Sequence, residues 1–469
     1  MRLLLVIYDN DSQISYFPLG AAYIAAAVRD AGHVVEIYNQ DIYHYNEEHL
    51  KKHIDNGDYD VIGIGACGGY YQYLKVKKIC EAVNETDKRP KIILGGHLPS
   101  PDPEFFLRKF KADFVVIGEG ETTIVELLHA LENNMCLSRV NGIAYLTKRM
   151  PDNVGGTYME TKKRRLIEKI DDIPMPAYDL FDINHYSLNM NPNQKRNQRS
   201  MSILTGRGCT FRCNFCYRMD VGFRPRSVES ILCEIEYLMD NYQISYFAFE
   251  DELLMSSPKR TIEICKAIID SRLRFTWRCS GRLNFARGDV LSMMKNAGCV
   301  FINYGIESMD DTALKNMDKD ITVKQIVDGI ENTLAVGISP GFNFIFGNIG
   351  ETADILEKDV AFLIKYDDHS QLRTIRPVTP YPGSPLYYYA IEMGLIKDCE
   401  DFYENKHVNS DLLAVNFTDM SDGEFYSALH KANAQLLKNH QEYVSFSNKE
   451  LLDNLYLNKD ASFRGFRKI

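Results

Sequence analysis

The chain has 469 residues, 45% hydrophobic and 25% charged, which is too long for one ordinary core and long enough for two or three domains. Its 64 acidic against 54 basic residues give a formal net charge of -10, and no Lys/Arg block resembles a phosphate-backbone footprint, so nucleic acid is not an expected partner. No run of about 18 apolar residues is present to cross a bilayer, the amino terminus lacks the pattern of a secretory signal, and the 11 cysteines suit metal ligation or burial in a reducing compartment; a cytoplasmic protein is expected.

Short β-branched runs at residues 3–8, 34–38, 61–65, 92–95 and 114–117 alternate with amphipathic stretches such as 21–30 and 122–131. That alternation predicts an α/β fold with a doubly wound parallel sheet over residues 1–146. Glycines fall where three of the strands end: Gly65-Ala66-Cys67-Gly68-Gly69, Gly95-Gly96-His97 and Gly118-Glu119-Gly120-Glu121. Ligands of open parallel sheets sit at that edge, and glycine lets backbone approach a large flat ligand closely. Gly63-x-Gly65 lacks a complete dinucleotide fingerprint, and each glycine alone also suits an ordinary strand-to-helix turn.

Residues 147–199 show no clear periodicity, hold Gly155-Gly156, a basic cluster at 162–165 and the Pro174-Met175-Pro176 turn, and read as a linker. A second βα series follows over residues 200–386, with strands near 203–205, 246–249, 275–278, 301–305, 341–346 and 372–377 and helices such as 228–242 and 258–271. Six such units predict a barrel or partial barrel. Residues 387–469 read as mainly helical and end in a basic tail at 464–468, expected to be a packing cap with a frayed end.

The first unit of the second series carries Gly206-Arg207-Gly208-Cys209-Thr210-Phe211-Arg212-Cys213-Asn214-Phe215-Cys216-Tyr217. Thiolates four and three positions apart on one irregular loop can converge on a [4Fe-4S] cluster and leave one iron open. A structural zinc would need a fourth ligand. No histidine lies between His185 and His369, and the next cysteine, Cys233, falls in a predicted helix.

This Cys-x3-Cys-x2-Cys run, with Phe215 before the third cysteine, resembles the signature of the radical S-adenosylmethionine (SAM) superfamily. Phe249-Glu250-Asp251-Glu252, Gly305-Ile306-Glu307-Ser308, Phe346-Gly347 with Gly350-Glu351-Thr352, and residues 379–386 are similar to it as well. The resemblance implies a (β/α)6 half-barrel in which Cys209, Cys213 and Cys216 hold the cluster, SAM binds the open iron, and an electron cleaves it to a 5'-deoxyadenosyl radical. It further implies SAM contacts from Phe215, Glu250, Asp251, Ser280 and Glu307. A carboxylate at a barrel strand end equally suits a helix cap. Arg282 and Arg376 either neutralise the methionine carboxylate or pair with a neighbouring acid.

The upstream glycines, together with Pro18-Leu19-Gly20 and the run 172–179, resemble the cobalamin (B12)-binding domain that precedes the barrel in one class of these enzymes. That implies cobalamin contacts from Leu19, Gly20, Gly68, Gly69, Gly95, Gly96, His97, Gly118, Glu119, Gly120 and Glu121. The Asp-x-His-x-x-Gly element of methionine synthase-like domains is absent. His97 therefore either contacts cobalamin without ligating cobalt or is an ordinary loop-end histidine. The activity implied is cobalamin-dependent methylation of an unactivated substrate carbon; cyclisation or rearrangement without methyl transfer, and a non-catalytic cobalamin or Fe-S sensor or carrier, are the alternatives. A small molecule, a lipid or a peptide can each be the substrate, and an electron donor such as flavodoxin or ferredoxin is expected.

Overall fold

Residues 1–12, 15–147, 156–188, 191–219 and 221–462 are described by a computed structural model; Gly155 and the basic tail at 464–468 lie outside them. Five parallel strands, β1 (Arg2–Ile7), β2 (Val34–Asn39), β3 (Val61–Gly65), β4 (Lys91–Gly95) and β5 (Phe114–Val116), lie in the order β2-β1-β3-β4-β5. Leu4, Val6, Ile62, Ile64, Ile92 and Leu94 pack on one face, and Leu3, Leu5, Val61, Ile93 and Phe114 on the other. Strands buried on both faces are apolar throughout, which is why these were visible as runs. The strand order turns back between β1 and β3, so a ligand crevice forms at their carboxyl ends. Two antiparallel strands, β6 (Ile143–Leu146) and β7 (Tyr158–Glu160), extend the sheet beyond β5. The sheet thus runs on into the stretch that reads as linker.

The second unit begins with β8 (Arg199–Ile203) and an antiparallel pair, β9 (Gly206–Arg207) with β10 (Arg224–Pro225). Strands β11 (Ile244–Phe249), β12 (Thr276–Gly281), β13 (Cys299–Glu307), β14 (Ser339–Phe346) and β15 (Arg376–Pro377) then join β8 in a parallel six-stranded half-barrel, in chain order. Met201, Ile203, Phe247, Phe249, Trp277, Cys279, Ile302, Tyr304, Phe342 and Phe344 belong to the core shared with the surrounding helices. Strand alternation therefore turns Ser200, Ser202, Ala248, Arg278, Ser280, Asn303 and Asn343 into the lumen. The first strand runs Arg199–Ile203 rather than 203–205, because polar lumen-facing residues at 200 and 202 break its apolar run. The last strand pairs only through Arg376 and Pro377, and the Val378 N–H then donates to the Phe346 carbonyl at 2.8 Å; Pro377 is tolerated on this edge strand.

The helix Asp422–Leu452 starts with a capping box between Ser421 and Glu424 and lays Phe425, Leu429, Ala432 and Leu436 on the barrel core. The helical carboxyl-terminal region expected from the sequence is thus present. Among the described residues no helix is long and apolar enough to cross a membrane.

Candidate cluster and cofactor site

The three cysteines sit on the loop between β9 and β10. Gly208, with φ of +85°, turns the chain into that loop, and Cys209 bridges to Val221 on the return. Asn214 fastens the middle: its N–H donates to the Met317 carbonyl (2.9 Å) and its carbonyl accepts from the Leu386 N–H (2.8 Å). Its side-chain amide exchanges hydrogen bonds of 3.0 and 2.9 Å with Asn348 and donates to the Asn316 carbonyl at 3.1 Å. These partners follow β13, β14 and β15, so the barrel itself shapes the loop.

Burial first, then the neighbouring Glu252 and Cys213, raise the pKa of the Cys209 thiol, and the same causes lift that of Cys216 to about 11. Ionised together, these thiolates would repel one another, and iron relieves that repulsion by taking up their charge. Among the described residues no three His, Cys, Asp or Glu side chains are gathered as a single metal ion requires. A cube of iron and sulfide is wider than an ion, and three soft donors without a fourth fit it, with one iron open.

Arg282 stands beside this loop, its guanidinium 3.4 Å from the centroid of the Phe211 ring. Burial lowers its pKa, against the opposing pull of Cys213 and Cys209. It donates to the Lys319 carbonyl, and its Nε has no partner among the described residues. Phe215 packs on Ala313, Met317 and Ile355, with the Lys319 ammonium 5.6 Å from its ring. Glu307, at the end of β13, pairs with Lys319 at 2.8 Å, both being almost fully buried. Its φ of +72° puts a non-glycine residue in left-handed backbone, a conformation that costs about 1–3 kcal/mol and gathers at functional sites.

Other SAM candidates separate in kind. Asp251 is buried and accepts from the Thr205 N–H (2.6 Å) and hydroxyl; burial pushes its carboxyl up to about 6, and it braces the turn after β8. Glu250 is ion-paired with Arg278. Ser280 faces the lumen. Arg376 is 64% exposed and pairs with Asp411 at 3.1 Å.

At the edge of the first sheet, a Cβ at Gly65 or Gly118 would meet open space, and Gly118 has φ of +80°. Gly96, with φ of +93°, lies so close to Ala66 that a Cβ would stand 2.6 Å from its carbonyl oxygen. Gly95, Gly96 and His97 are half-buried along the same edge. This open, backbone-lined crevice fits a large flat cofactor. His97, whose pKa burial lowers, stands edge-on to Tyr217 with 5.8 Å between ring centroids. Leu19 and Gly20 open the helix Leu19–Asp30. Gly68 is covered by later chain: the Tyr403 hydroxyl donates to its carbonyl (3.1 Å) and the Tyr381 ring is 3.5 Å from its Cβ position, while a Cβ at Gly69 would meet Gln72.

Gly120 caps the helix Glu121–Glu132, while the two glutamates turn toward the cysteine hairpin. Glu119 accepts from Arg207 (3.0 Å) and Arg224 (2.9 Å), and Glu121 from Arg207 (2.5 Å); these four side chains are 5–14% exposed. Arg207 lies on β9 and Arg224 on β10. The sheet edge is thus clamped to both strands that flank the cluster loop. Sequence reasoning passed over these arginines, Lys319 and the hub Asn214; all lie beside recognised motifs, but their partners are far away in the chain.

A half-barrel whose first loop carries three cysteines at this spacing is the architecture of a radical SAM enzyme, and the sheet ahead of it adds a second cofactor edge. A B12-binding domain model matches residues 10–128, and a radical SAM superfamily model matches residues 203–363. An uncharacterized methyltransferase of Pyrococcus horikoshii is 32% identical over 408 residues, 84% of each chain. Two solved structures share the fold. The cobalamin-dependent SAM radical enzyme OxsB, with aqua-cobalamin and SAM bound, has TM-score 0.73 and 18% identity, over 97% of this chain and 73% of its own. The radical SAM methyltransferase TsrM of Kitasatospora setae, with cobalamin and a [4Fe-4S] cluster bound, has TM-score 0.72 and 17% identity, over 93% and 89%. The chain belongs to the cobalamin-dependent radical SAM enzyme family, whose cofactors are a [4Fe-4S] cluster, SAM and cobalamin.

Proposed function

We propose that the protein carries a methyl group from SAM, by way of cobalamin, to an unactivated carbon of a small-molecule substrate. The observation that supports this reading most directly is the apposition of its two halves: the glycine edge of the first sheet faces the cysteine loop across the His97–Tyr217 ring pair. When bound, the cluster and SAM supply a 5'-deoxyadenosyl radical and cobalamin supplies the methyl group. Cys209, Cys213 and Cys216 would hold three irons. Arg282 offsets thiolate charge and, with Phe211, shields the loop from water. Glu307, Glu250 and Ser280, at the mouth and in the lumen of the half-barrel, would contact SAM. Gly65, Gly95, Gly96, Gly118 and an uncharged His97 would line the corrin. A cytoplasmic setting and a flavodoxin- or ferredoxin-like electron donor belong to the same reading.

Anaerobic reconstitution with iron, sulfide and cobalamin, then reduction with methyl-labelled SAM, is the test. Label on the protein's cobalamin, S-adenosylhomocysteine, and deoxyadenosine that disappears in Cys213→Ala are expected. Deoxyadenosine without S-adenosylhomocysteine favours rearrangement, and neither product from reduced holoenzyme refutes the reading.

A further inference from the structure

The basic cluster at residues 162–165 takes no part in the cofactor site. Residues 162–169 hold five basic side chains against one acid, Glu168, in a chain whose net charge is -10. The structure splits them. Arg164 turns back to the first sheet, where it donates to the Thr123 hydroxyl at 2.7 Å and pairs with Glu126. Lys162, Lys163 and Arg165 are exposed, and none of these three side chains has an ion-pair or hydrogen-bond partner among the described residues.

Their position matters more than their number. Lys163 and Arg165 line a hollow of about 70 Å³ together with Gly118 and Glu119 of the glycine edge and Tyr217 and Met219 of the cysteine loop. Tyr217 follows Cys216 directly in the chain. Glu119 does not neutralise the two cations, since its carboxylate is already held by Arg207 and Arg224. Unpaired positive charge therefore borders the seam between the cluster loop and the second cofactor's edge. Weak redox encounters bury little surface and are guided by opposite charge, which raises association rates by about 10- to 1,000-fold. A nucleic-acid binder of appreciable affinity spends about 6–10 phosphate contacts, more than this patch offers. An acidic protein is repelled by the acidic remainder of the chain and drawn to the patch, so it arrives facing the seam.

We propose that Lys162, Lys163 and Arg165 form the docking surface for an acidic one-electron carrier of the ferredoxin type, which reduces the cluster held by the neighbouring cysteine loop. One electron leaves the reduced carrier and enters the oxidised cluster; no bond forms or breaks and no proton moves. The proposal rests on the reading that such a carrier supplies the electron, and it is independent of where the methyl group goes.

The test mixes the reconstituted holoenzyme rapidly with a reduced, acidic [2Fe-2S] ferredoxin and freezes it at intervals, so that electron paramagnetic resonance reports each cluster separately. Combining Lys162→Glu, Lys163→Glu and Arg165→Glu should slow the second-order rate about tenfold at low salt. The gap should close towards about 1 M salt, where charges are screened beyond about 3 Å. Reduction by the methyl viologen radical, a small cation, should not be slowed. Lys438→Glu with Lys449→Glu, two exposed lysines of the helix Asp422–Leu452, should leave the ferredoxin rate at that of the parent. A triple variant as fast as the parent at low salt, or slowed alike with both reductants or at every salt concentration, overturns the docking surface and leaves the carrier reading standing. If neither reduced ferredoxin nor reduced flavodoxin passes an electron to a parent enzyme that methyl viologen reduces, the carrier reading falls and the surface with it. Oligonucleotide binding that the triple variant loses, at an unchanged ferredoxin rate, gives the patch to nucleic acid instead.

Discussion

Glu119→Gln keeps the shape of the clamp and removes its central charge. Arg207 and Arg224 then face a neutral amide whose NH2 group points at one of them. Removing one partner of a buried ion pair costs on the order of 3–5 kcal/mol. Arg207 retains Glu121 and Arg224 retains the Ile167 carbonyl, so the lower end, about 3 kcal/mol, applies. That loss falls on the docking of the two domains, and calorimetry at pH 7 should show a melting temperature lower by about 5 °C or more, with the domains melting separately. Burial opposes ionisation of Glu119, but Arg224, the Ile167 N–H and Arg207 hold its carboxyl below the ordinary 4.5. A lowered carboxylate pKa stabilises the fold fully above 4.5 and ceases to as the pH falls through the lowered value. The variant's deficit should therefore shrink in acid. A variant that melts with the parent at pH 7, or a deficit that grows below pH 4.5, refutes the clamp.

Gly96→Ala places a methyl 2.6 Å from the Ala66 carbonyl oxygen at a φ of +93°; chemical denaturation should register a loss of about 1–3 kcal/mol, and an unchanged midpoint would contradict the close approach. Lys319→Met leaves Glu307 buried and unpaired, for about 3–5 kcal/mol. Adding Glu307→Gln should recover much of it, and a double variant no better than the single would show that the pair does not matter. Burial pushes Glu351 up to about 8 from its ordinary 4.5, so the parent loses stability as the pH rises between those values, because the unfolded chain releases the proton first. Glu351→Gln, close in shape to the protonated acid, should gain on the parent steadily over that window in thermal melts; parallel curves would rule this out.

Strands buried on both faces were legible as apolar runs, and β1 to β5 stand where the sequence places them, within a residue or two. The lumen-facing strands were harder to bound, since Ser200 and Ser202 carry no apolar signal, although the alternation of Phe301, Asn303 and Gly305 with Ile302 and Tyr304 marks an inner face. The cysteine triad was legible because its spacing is local. The partners of Glu119 and Glu121 were not: Arg207 lies 88 and 86 residues away and Arg224 105, and no local pattern encodes a contact that only domain docking creates. The glycine motif therefore read as a ligand edge, while its acids also fasten the domains.

Asn214 binds chain from behind β13, β14 and β15, so the cysteine loop takes its shape only after the whole half-barrel has closed. On a ribosome the thiols emerge long before the segments that hold them. Metal delivered early would meet an unformed loop; delivered late, it would meet a finished one. Maturation of the cluster thus belongs after folding, and any truncation ahead of Leu386 should produce a protein that makes its cysteines yet fails to mature.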